Sequence, residues 1–404
     1  MEILLAYVIF LTLPKIILSI LELNFLKIEK TKTPYILEKE QFIKAANYSI
    51  KSEKLSLIGN FIDLALMAFW LLYGFAFLNS WLESLGYSPL FKSVIFVLSF
   101  LVVSSIVSLP LSAYKVLILD KEFGFAKGGV KLFIMDTLKE FLLLIILGGI
   151  LVFAFSWIIL NVAFWEFYAF ILLVVLMIVA NVIYPSFIMP LFNKFTPLEN
   201  IELKDSINTL LNRVGFKSEG VFVMDASKRD GRLNAFFAGI GKSKRVVLFD
   251  TLLEKISKDS ILAVLGHELG HFKHYDLYKM MALMFVFFGV LLFFVANIPQ
   301  SLFDSINLEV GAHSLIICLL ILSAPLQFYY TPLISLLSRK NEFGADKFGA
   351  SLTSKESLAN ALLLLVKENN SFPLAHPLYL RFYYSHPPLM ERLKALDCAN
   401  LALK

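Results

Sequence analysis

The stretch His267-Glu268-Leu269-Gly270-His271 decides how the rest of this sequence is interpreted. On a helix, residues four apart share a face, so the imidazoles of His267 and His271 can reach one metal ion. Glu268 follows His267 directly, and its side chain is angled to hold a water beside that ion rather than to bind the ion itself. This arrangement is typical of zinc peptidases, with one Zn²⁺ per chain. The pattern alone arises by chance in many chains, so the surrounding sequence has to decide.

The composition is that of a membrane protein. Of 404 residues, 58% are hydrophobic and 17% charged, with a mean hydropathy of +0.73, whereas soluble proteins have about a quarter charged residues. Seven apolar runs reach the length of about 20 residues that crosses about 30 Å of hydrocarbon. They lie near residues 4–24, 57–79, 94–113, 141–162, 165–187, 281–298 and 314–337. The first run is too long for a removable signal peptide and lacks its small-residue cleavage site. We therefore predict an all-α membrane protein with seven transmembrane helices.

Lysines are distributed unevenly among the loops between these runs. The first and third loops are basic, the second has only Lys92, and the fourth and sixth have no lysine or arginine. The positive-inside rule places the N-terminus outside and the C-terminus in the cytoplasm, together with residues 188–278 and the tail after 338. The net charge of +5 comes from these loops, so no nucleic-acid partner is expected. The C-terminus carries no ER-retrieval signal, which favours a bacterial inner (cell) membrane, with the ER membrane as the alternative.

The predicted fifth loop is long enough to fold. Residues 201–214 have the apolar spacing of an amphipathic helix. Three short runs rich in β-branched and aromatic residues predict strands. These are residues 221–225, 233–238 and 245–249. Gly239 and Gly241 supply the turn after the second strand, and Ser257 opens the helix that carries HELGH. We expect a cytoplasmic α+β zinc-metallopeptidase domain, gluzincin-like, with a small sheet packed on the HELGH helix.

These features divide the chain into four segments. Residues 1–187 are a membrane region with five transmembrane helices, and 188–280 are the cytoplasmic metalloprotease segment. Residues 281–337 hold transmembrane helices six and seven. Residues 338–404 are a cytoplasmic tail that completes the active site.

Two histidines leave zinc one protein ligand short. Position 277, six residues after His271, is leucine, which excludes the metzincin arrangement. His274 points roughly along the same face, but a solvated imidazole near the membrane surface is the favoured interpretation. Glu342 is the preferred third ligand, because it follows the seventh run on the cytoplasmic side and Asp346 lies four residues later. A neighbouring carboxylate such as Asp346 can accept the free N–H of a ligand histidine and fix its tautomer.

Seven segments beyond residue 110 carry a resemblance to a known family. They are Glu122–Phe125, Pro190–Phe195, Leu233–Ala238, Val246–Leu252, His267–His271, Asn341–Asp346 and Ser385–Pro388. In this order they resemble the CAAX prenyl protease 1 family of integral-membrane zinc metallopeptidases, which is related to the HtpX proteases. The one departure is Phe272, where the family often has tryptophan, and it keeps an aromatic ring.

The resemblance implies a role for each matching residue of the metal centre. His267, His271 and Glu342 would bind zinc. Glu268 would act as the general base and proton shuttle.

The resemblance also implies residues that handle the substrate. His386 would donate a hydrogen bond to the oxyanion, and Asp346 would orient a ligand histidine. Asn234 and Ala235, on an edge strand, would bind the substrate main chain by strand addition. His376 is interpreted as an ordinary loop histidine.

The function that the resemblance implies is removal of the last three residues of a prenylated CAAX protein or peptide. Quality-control cleavage of the HtpX type is the alternative. Two further readings are a site-2-type protease, with HExxH inside a transmembrane helix, and a non-catalytic transporter or receptor. The expected partners are a peptide or protein substrate, possibly lipidated, and membrane lipid. Asp63 and Lys115, near the interiors of predicted spans, either face a hydrated chamber of the kind the family has or form an ion pair.

Overall fold

Five long helices occupy the first half of the chain. The computed structural model describes residues 2–239, 244–306 and 308–403. Within these ranges seven helices are long and apolar enough to cross a membrane, which confirms the predicted number. The first five are Glu2–Glu29 (α1), Lys39–Ser84 (α2), Pro89–Glu122 (α3), Val130–Asn161 (α4) and Trp165–Phe192 (α5). They are longer than the apolar runs, because four of them continue into polar residues that flank the run and α5 continues through residues 188–192.

Each of these five helices contains one π-helical turn. The turns are Val8–Thr12, Trp70–Gly74, Lys115–Leu119, Leu144–Gly148 and Tyr184–Ile188. A π turn inserts a residue and so offsets the side-chain faces before and after it. The turn in α5 contains Pro185, which has no N–H to donate to the helix.

A four-stranded sheet follows α5 in the described part of the chain. Its strands are Phe195–Pro197 (β1), Gly220–Met224 (β2), Ala235–Ala238 (β3) and Arg245–Phe249 (β4). The order is β1-β2-β4-β3, with β2 and β4 parallel and the two outer pairs antiparallel. Strand β3 is therefore an edge strand, as predicted for Ala235. Strand β1 was not predicted, because three residues are too few to show an alternating pattern.

The strand predicted at residues 233–238 begins two residues later in the structure, at Ala235. The side-chain amide of Asn369 accepts from the N–H of Leu233 at 2.8 Å and donates to its carbonyl at 3.2 Å. Leu233 directs these main-chain groups away from β4, so Asn369 occupies the outer edge of the sheet just before β3 begins. Gly239, with φ of 85°, adopts a left-handed turn conformation as predicted, whereas Gly241 lies outside the described residues.

Three helices accompany the sheet: Ile201–Arg213 (α6), Asp250–Lys255 (α7) and Lys258–Lys273 (α8). The Ser257 hydroxyl accepts from the N–H of Ser260 at 3.3 Å, so α8 begins where its cap was predicted. Val246 and Leu248 of β4 are buried in one core with Leu265 and Leu269 of α8. The HELGH helix is therefore fixed against the sheet.

The two remaining spans are Asp276–Ala296 (α9) and, after the short helix Gln300–Ser305 (α10), Ala312–Leu352 (α11). Helix α11 has 41 residues and continues through Pro325 and Pro332. The apolar run covers only its first part, and its extension carries Glu342 and Asp346. The tail contains Lys355–Glu368 (α12), Pro377–Tyr383 (α13) and Leu389–Ala395 (α14).

The seven spans pack in chain order, and α11 joins the last of them to the first. It contacts α9 and α1, and it also packs against α3 and α4. One end is filled by a buried cluster that includes Trp70, Phe75, Phe96, Phe155 and Ile317. Asp63 and Lys115 instead have exposed side chains, and the ion pairs among the described residues include neither. The described contacts therefore give no support to an ion pair between these two residues.

Candidate metal centre

Helices α8 and α11 cross with their backbones in direct contact. Small residues make the contact, Gly266 and Gly270 from α8 with Ala345 and Gly349 from α11. A Cβ at Gly270 would lie 2.6 Å from the Cα of Ala345, and one at Gly349 would lie 2.6 Å from the backbone nitrogen of His267. Neither position has room for a side chain, so the small residues set the distance between the two helices. This close approach brings the HELGH face to the extension of α11.

Replacing Gly270 by alanine is expected to push these helices apart. The added methyl group meets the backbone of Ala345, so a helix has to move. Overpacking of this kind costs about 1–3 kcal/mol, and misplacing catalytic groups by about 1 Å lowers activity by about 10²-fold. Thermal melting and peptide-cleavage rates measure both effects. The control is Gly289→Ala in α9, where the nearest atom to a Cβ is 3.9 Å away. Full activity in Gly270→Ala would contradict the crossing described here.

Three side chains converge where the helices cross. Ligand-type atoms of His267, His271 and Glu342 lie within 4.8 Å of one another. The two Nε2 atoms are 3.2 Å apart, and the Glu342 carboxylate is 3.3 Å from Nε2 of His271 and 3.5 Å from that of His267. Oε2 of Glu342 is buried and has no hydrogen-bond partner among the described residues. Two imidazole nitrogens and a buried carboxylate oxygen that accepts no hydrogen bond fit a Zn²⁺ ion.

Each of the two histidines is held from behind by a carboxylate. Nδ1 of His267 is 2.8 Å from Asp346, and Nδ1 of His271 is 2.9 Å from Asp276. A carboxylate at Nδ1 favours the tautomer in which Nε2 keeps its lone pair toward the cluster. The Asp346 contact was predicted, but Asp276 was not. Asp276 begins α9 after the left-handed residue Tyr275 (φ 58°), so helical spacing from His271 does not reveal it.

A buried arginine balances the carboxylates. Nε and Nη2 of Arg392 donate to the two oxygens of Asp346 at 2.8 and 2.6 Å, and Nη2 lies 3.3 Å from Glu342. The side chain of Arg392 is 9% exposed and that of Asp346 is 1% exposed. Sequence reasoning missed Arg392, since it lies on α14 and no spacing links it to α11. The only available signal was the nearby Ser385–Pro388 segment.

Glu268 and His386 lie at the rim of the cluster. Glu268 is adjacent to the first ligand-type histidine on α8, and burial raises its pKa, an effect that the two histidines partly oppose. Nε2 of His386 is 3.4 Å from Glu342, and its Nδ1 is 2.9 Å from the hydroxyl of Ser385. The folded chain thus brings Glu268 and His386 to one place, although they are far apart in sequence.

Comparison with known proteins agrees with this geometry. Residues 197–399 match peptidase family M48, and residues 24–194 match the CAAX prenyl protease N-terminal domain with five membrane helices. CAAX prenyl protease 1 of Saccharomyces cerevisiae is 36% identical, over 93% of this chain and 90% of its own length. The chain belongs to the CAAX prenyl protease 1 family of M48 peptidases.

Further relatives and a solved structure support the same assignment of this M48 peptidase. The CAAX prenyl protease 1 homolog of Arabidopsis thaliana is 33% identical, over 90% of this chain and 88% of the relative. The crystal structure of S. mikatae Ste24p superposes with a TM-score of 0.90 at 33% identity and covers 98% of each chain. The M48 peptidase is therefore a multi-pass membrane metallopeptidase that acts on a peptide or protein.

Two other histidines of the M48 peptidase lie outside the ligand cluster. The ring of His274 packs edge-on against Phe348, with the centroids 5.9 Å apart. His376 precedes α13, where its side chain accepts from the N–H of Leu378 at 3.3 Å. Both positions agree with the interpretation of these histidines as non-ligands.

Strand β3 of the M48 peptidase offers a free main-chain edge beside α8. The carbonyl of Asn234 accepts from the N–H of Phe249 at 3.1 Å. Bonded and non-bonded positions alternate along an antiparallel pair, so Ala235 and Phe237 direct their main-chain groups outward. Asn234 is exposed, and its side-chain oxygen accepts from the N–H of Ala235 at 2.8 Å, a bond that has to open before a substrate carbonyl can take its place. Ala235 and Phe237 are therefore the main-chain positions of this edge.

Two cavities meet at Glu268. One, of about 710 Å³, lies at the Ala238 end of β3, and the other, of about 840 Å³, lies at the Asn234 end. The first also reaches His271, and the second reaches His267. An extended chain on β3 would pass from one cavity to the other across the metal cluster.

Proposed function

We propose that this M48 metallopeptidase uses one Zn²⁺ per chain to release the last three residues of a CAAX protein or peptide whose cysteine is prenylated. The observation that carries the proposal is the convergence of His267, His271 and Glu342 beside Glu268 and the edge strand. The relatives named CAAX prenyl protease 1 supply the substrate class. HtpX-type quality control stays the alternative. Helix α8 is not among the seven spans in the described residues, which argues against a site-2-type protease.

The residues around the metal centre divide the chemistry among them. Bound zinc would polarise the scissile carbonyl and make water nucleophilic near neutral pH. The carboxylate of Glu268 takes a proton from the attacking water and delivers it to the leaving nitrogen. His386 donates a hydrogen bond to the carbonyl oxygen as negative charge develops there. Asp346 and Asp276 hold the two ligand histidines in the required tautomer.

The substrate main chain lies along the free edge of β3. Ala235 and Phe237 exchange hydrogen bonds with it by strand addition, and Asn234 adds its side-chain amide. Because β3 contacts α8, a chain held on this edge presents its carbonyl to the metal centre. Strand addition recognises only the main chain of the substrate. The two cavities bind the side chains and the lipid of the substrate.

Zinc is expected to bind the chelator-stripped protein more tightly as the pH rises. Burial lowers the pKa of His271, but hydrogen bonds to Glu342 and Asp276 outweigh burial and raise this pKa to about 9. His271 is therefore protonated at neutral pH, and the proton has to leave before Nε2 can bind a cation. The apparent affinity should rise about tenfold per pH unit up to about pH 9 and then level off.

Competition with a metal chelator at a series of pH values measures this dependence. In Asp276→Asn, one of the two carboxylates that raise the pKa of His271 is gone. The affinity should then level off at a lower pH than in the wild type. An affinity that stays constant from about pH 7 to about pH 9 would contradict the proton release.

The metal centre faces the cytoplasm in this account. The basic loops place residues 188–280 and 338–404 there, with 1–187 and 281–337 as the membrane segments. Helix α11 joins the last two segments without a break. A bacterial inner membrane stays the prediction, with the ER as the alternative. Membrane lipid is the expected surrounding, and no nucleic-acid partner is proposed.

Product analysis by mass spectrometry tests the proposed function. Purified protein in detergent receives a CAAX peptide with or without a farnesyl group on its cysteine. The expected product is the free C-terminal tripeptide, released faster from the farnesylated form. Equal rates for both forms would indicate a broader membrane peptidase. Cleavage at other bonds, or none with zinc bound, would overturn the CAAX assignment.

A further inference from the structure

An apolar cavity connects the metal cluster with two membrane spans. Its volume of about 710 Å³ lies within the range of about 300–1,000 Å³ that is usual for small-molecule pockets. Glu268 and His271 form its inner end. Its apolar and aromatic lining includes Tyr184, Phe216, Phe236, Phe237, Phe272 and Leu277. A hydrophobic group attached near the scissile bond would have a surface to bind there.

The outer end of this cavity lies between α5 and α9. Helix α5 contributes Tyr184 and Pro185 from its π turn, and α9 contributes Leu277 from its first turn. Tyr184 and Leu277 are 58% and 43% exposed, so protein leaves this end uncovered. Tyr278, also exposed, follows on α9, and tyrosines are enriched where helices enter the headgroup region. A hydrocarbon chain can therefore pass from the bilayer into the cavity over apolar surface.

The cavity at the Asn234 end of β3 has a different chemistry. Its volume is about 840 Å³, and besides apolar residues its wall contains many charged and amide side chains. Besides Glu268, these are Asp230, Arg232, Asn234, Asn369 and Arg392. Such a wall suits a short peptide that ends in a free carboxylate.

We propose that the apolar cavity holds the isoprenoid chain of the substrate and that the polar cavity holds the three residues that leave. This assignment rests on the proposed function, which supplies the substrate class. The prenylated cysteine precedes the scissile bond and the tripeptide follows it. The substrate then runs antiparallel to β3, from the Ala238 end to the Asn234 end, with Ala235 and Phe237 as its main-chain partners.

Lys244 is relevant to which of two directions the substrate takes along β3. It is the one lysine or arginine among the described residues that line the apolar cavity. Its Nζ lies 3.7 Å from the ring centroid of Phe272 and 5.1 Å from that of Phe216, so the ammonium group rests on aromatic faces. In the opposite direction, the terminal carboxylate of the substrate would pair with Lys244, and the experiment has to separate these arrangements.

Photo-crosslinking of substrate peptides to the Glu268→Gln variant distinguishes the two directions of the substrate. One CAAX peptide carries a diazirine in its farnesyl chain, and a second farnesylated peptide carries a benzophenone on its last residue. The farnesyl label should attach to Tyr184, Met189 or Leu277, and the terminal label to Phe372 or Tyr384 in the polar cavity. Exchanged labels, or a farnesyl label confined to other spans, would overturn the proposal. This readout needs no turnover, so its failure is distinguishable from a failure of the proposed cleavage.

A kinetic test uses a side chain that fills the cavity. Ala180 lines the cavity from α5, and Ala180→Phe places a ring there. Excluding about two methylene groups of the isoprenoid should lower kcat/KM for the farnesylated peptide about tenfold relative to the unlipidated one. The control is Ile178→Phe, which is exposed on α5 outside the lining. No change in this ratio, or the same change in the control, would overturn the proposal.

Discussion

Replacing Glu268 by glutamine is expected to lower kcat/KM for peptide cleavage by about 10²–10⁴-fold while zinc stays bound. Glutamine keeps the shape of the side chain but cannot accept the proton of the attacking water. The ligand cluster consists of other residues, His267, His271 and Glu342, so the variant should retain its metal. Tripeptide release and the zinc content of the purified protein give the two required values.

The matched control is Glu254→Gln, the same chemical change at an exposed glutamate of α7. It should behave as the wild type in both measurements. An active Glu268→Gln would remove this residue from the mechanism. A Glu268→Gln protein that is inactive because it has lost its zinc would contradict the division of roles between base and ligands.

Replacing Arg392 by methionine is expected to destabilise the chelator-stripped protein by about 3–5 kcal/mol. Methionine fills similar space, but the buried carboxylates of Asp346 and Glu342 lose the guanidinium group that lies 2.6 and 3.3 Å from them. Asp346 also orients His267, so zinc affinity should fall by about 10–100-fold. With zinc bound, the loss of stability should be smaller, because the ion adds positive charge beside Glu342.

Melting temperatures with and without zinc measure this difference. Arg381→Met, an exposed arginine on α13, is the control and should leave both temperatures unchanged. If chelator-stripped Arg392→Met has the same melting temperature as the chelator-stripped wild type, the buried arginine does not balance the carboxylates.

The parts of the fold that the sequence predicts are those with a local pattern. Seven apolar runs mark the spans, and the Ser257 cap marks the start of α8. Strand β4 was predicted at its observed bounds, because Arg245–Phe249 is a compact β-branched and aromatic run. The pairing of HELGH with Glu342 was also accessible, since both lie on one side of the membrane in the predicted topology.

The parts that escaped prediction depend on contacts between distant segments. Arg392 reaches Asp346 from another helix, and no spacing along the chain reports such a contact. Asn369 binds the outward main-chain groups of Leu233 and so limits the free edge beside β3, which again only the folded chain shows. Hydropathy alone shows only part of α11, since it follows the bilayer and not the helix; the four-residue spacing of Glu342 and Asp346 is what indicates that the helix continues. Its charged extension, which carries the third ligand, has no apolar signal.

A zinc titration of the chelator-stripped protein, followed by tripeptide release from a farnesylated CAAX peptide, tests the central claim most directly. The account predicts activity that rises linearly and stops rising at one zinc per chain. Glu342→Ala should recover no activity at the same zinc concentrations. Cleavage that persists in the stripped protein, or full recovery in Glu342→Ala, would contradict a single catalytic metal held where α8 and α11 cross.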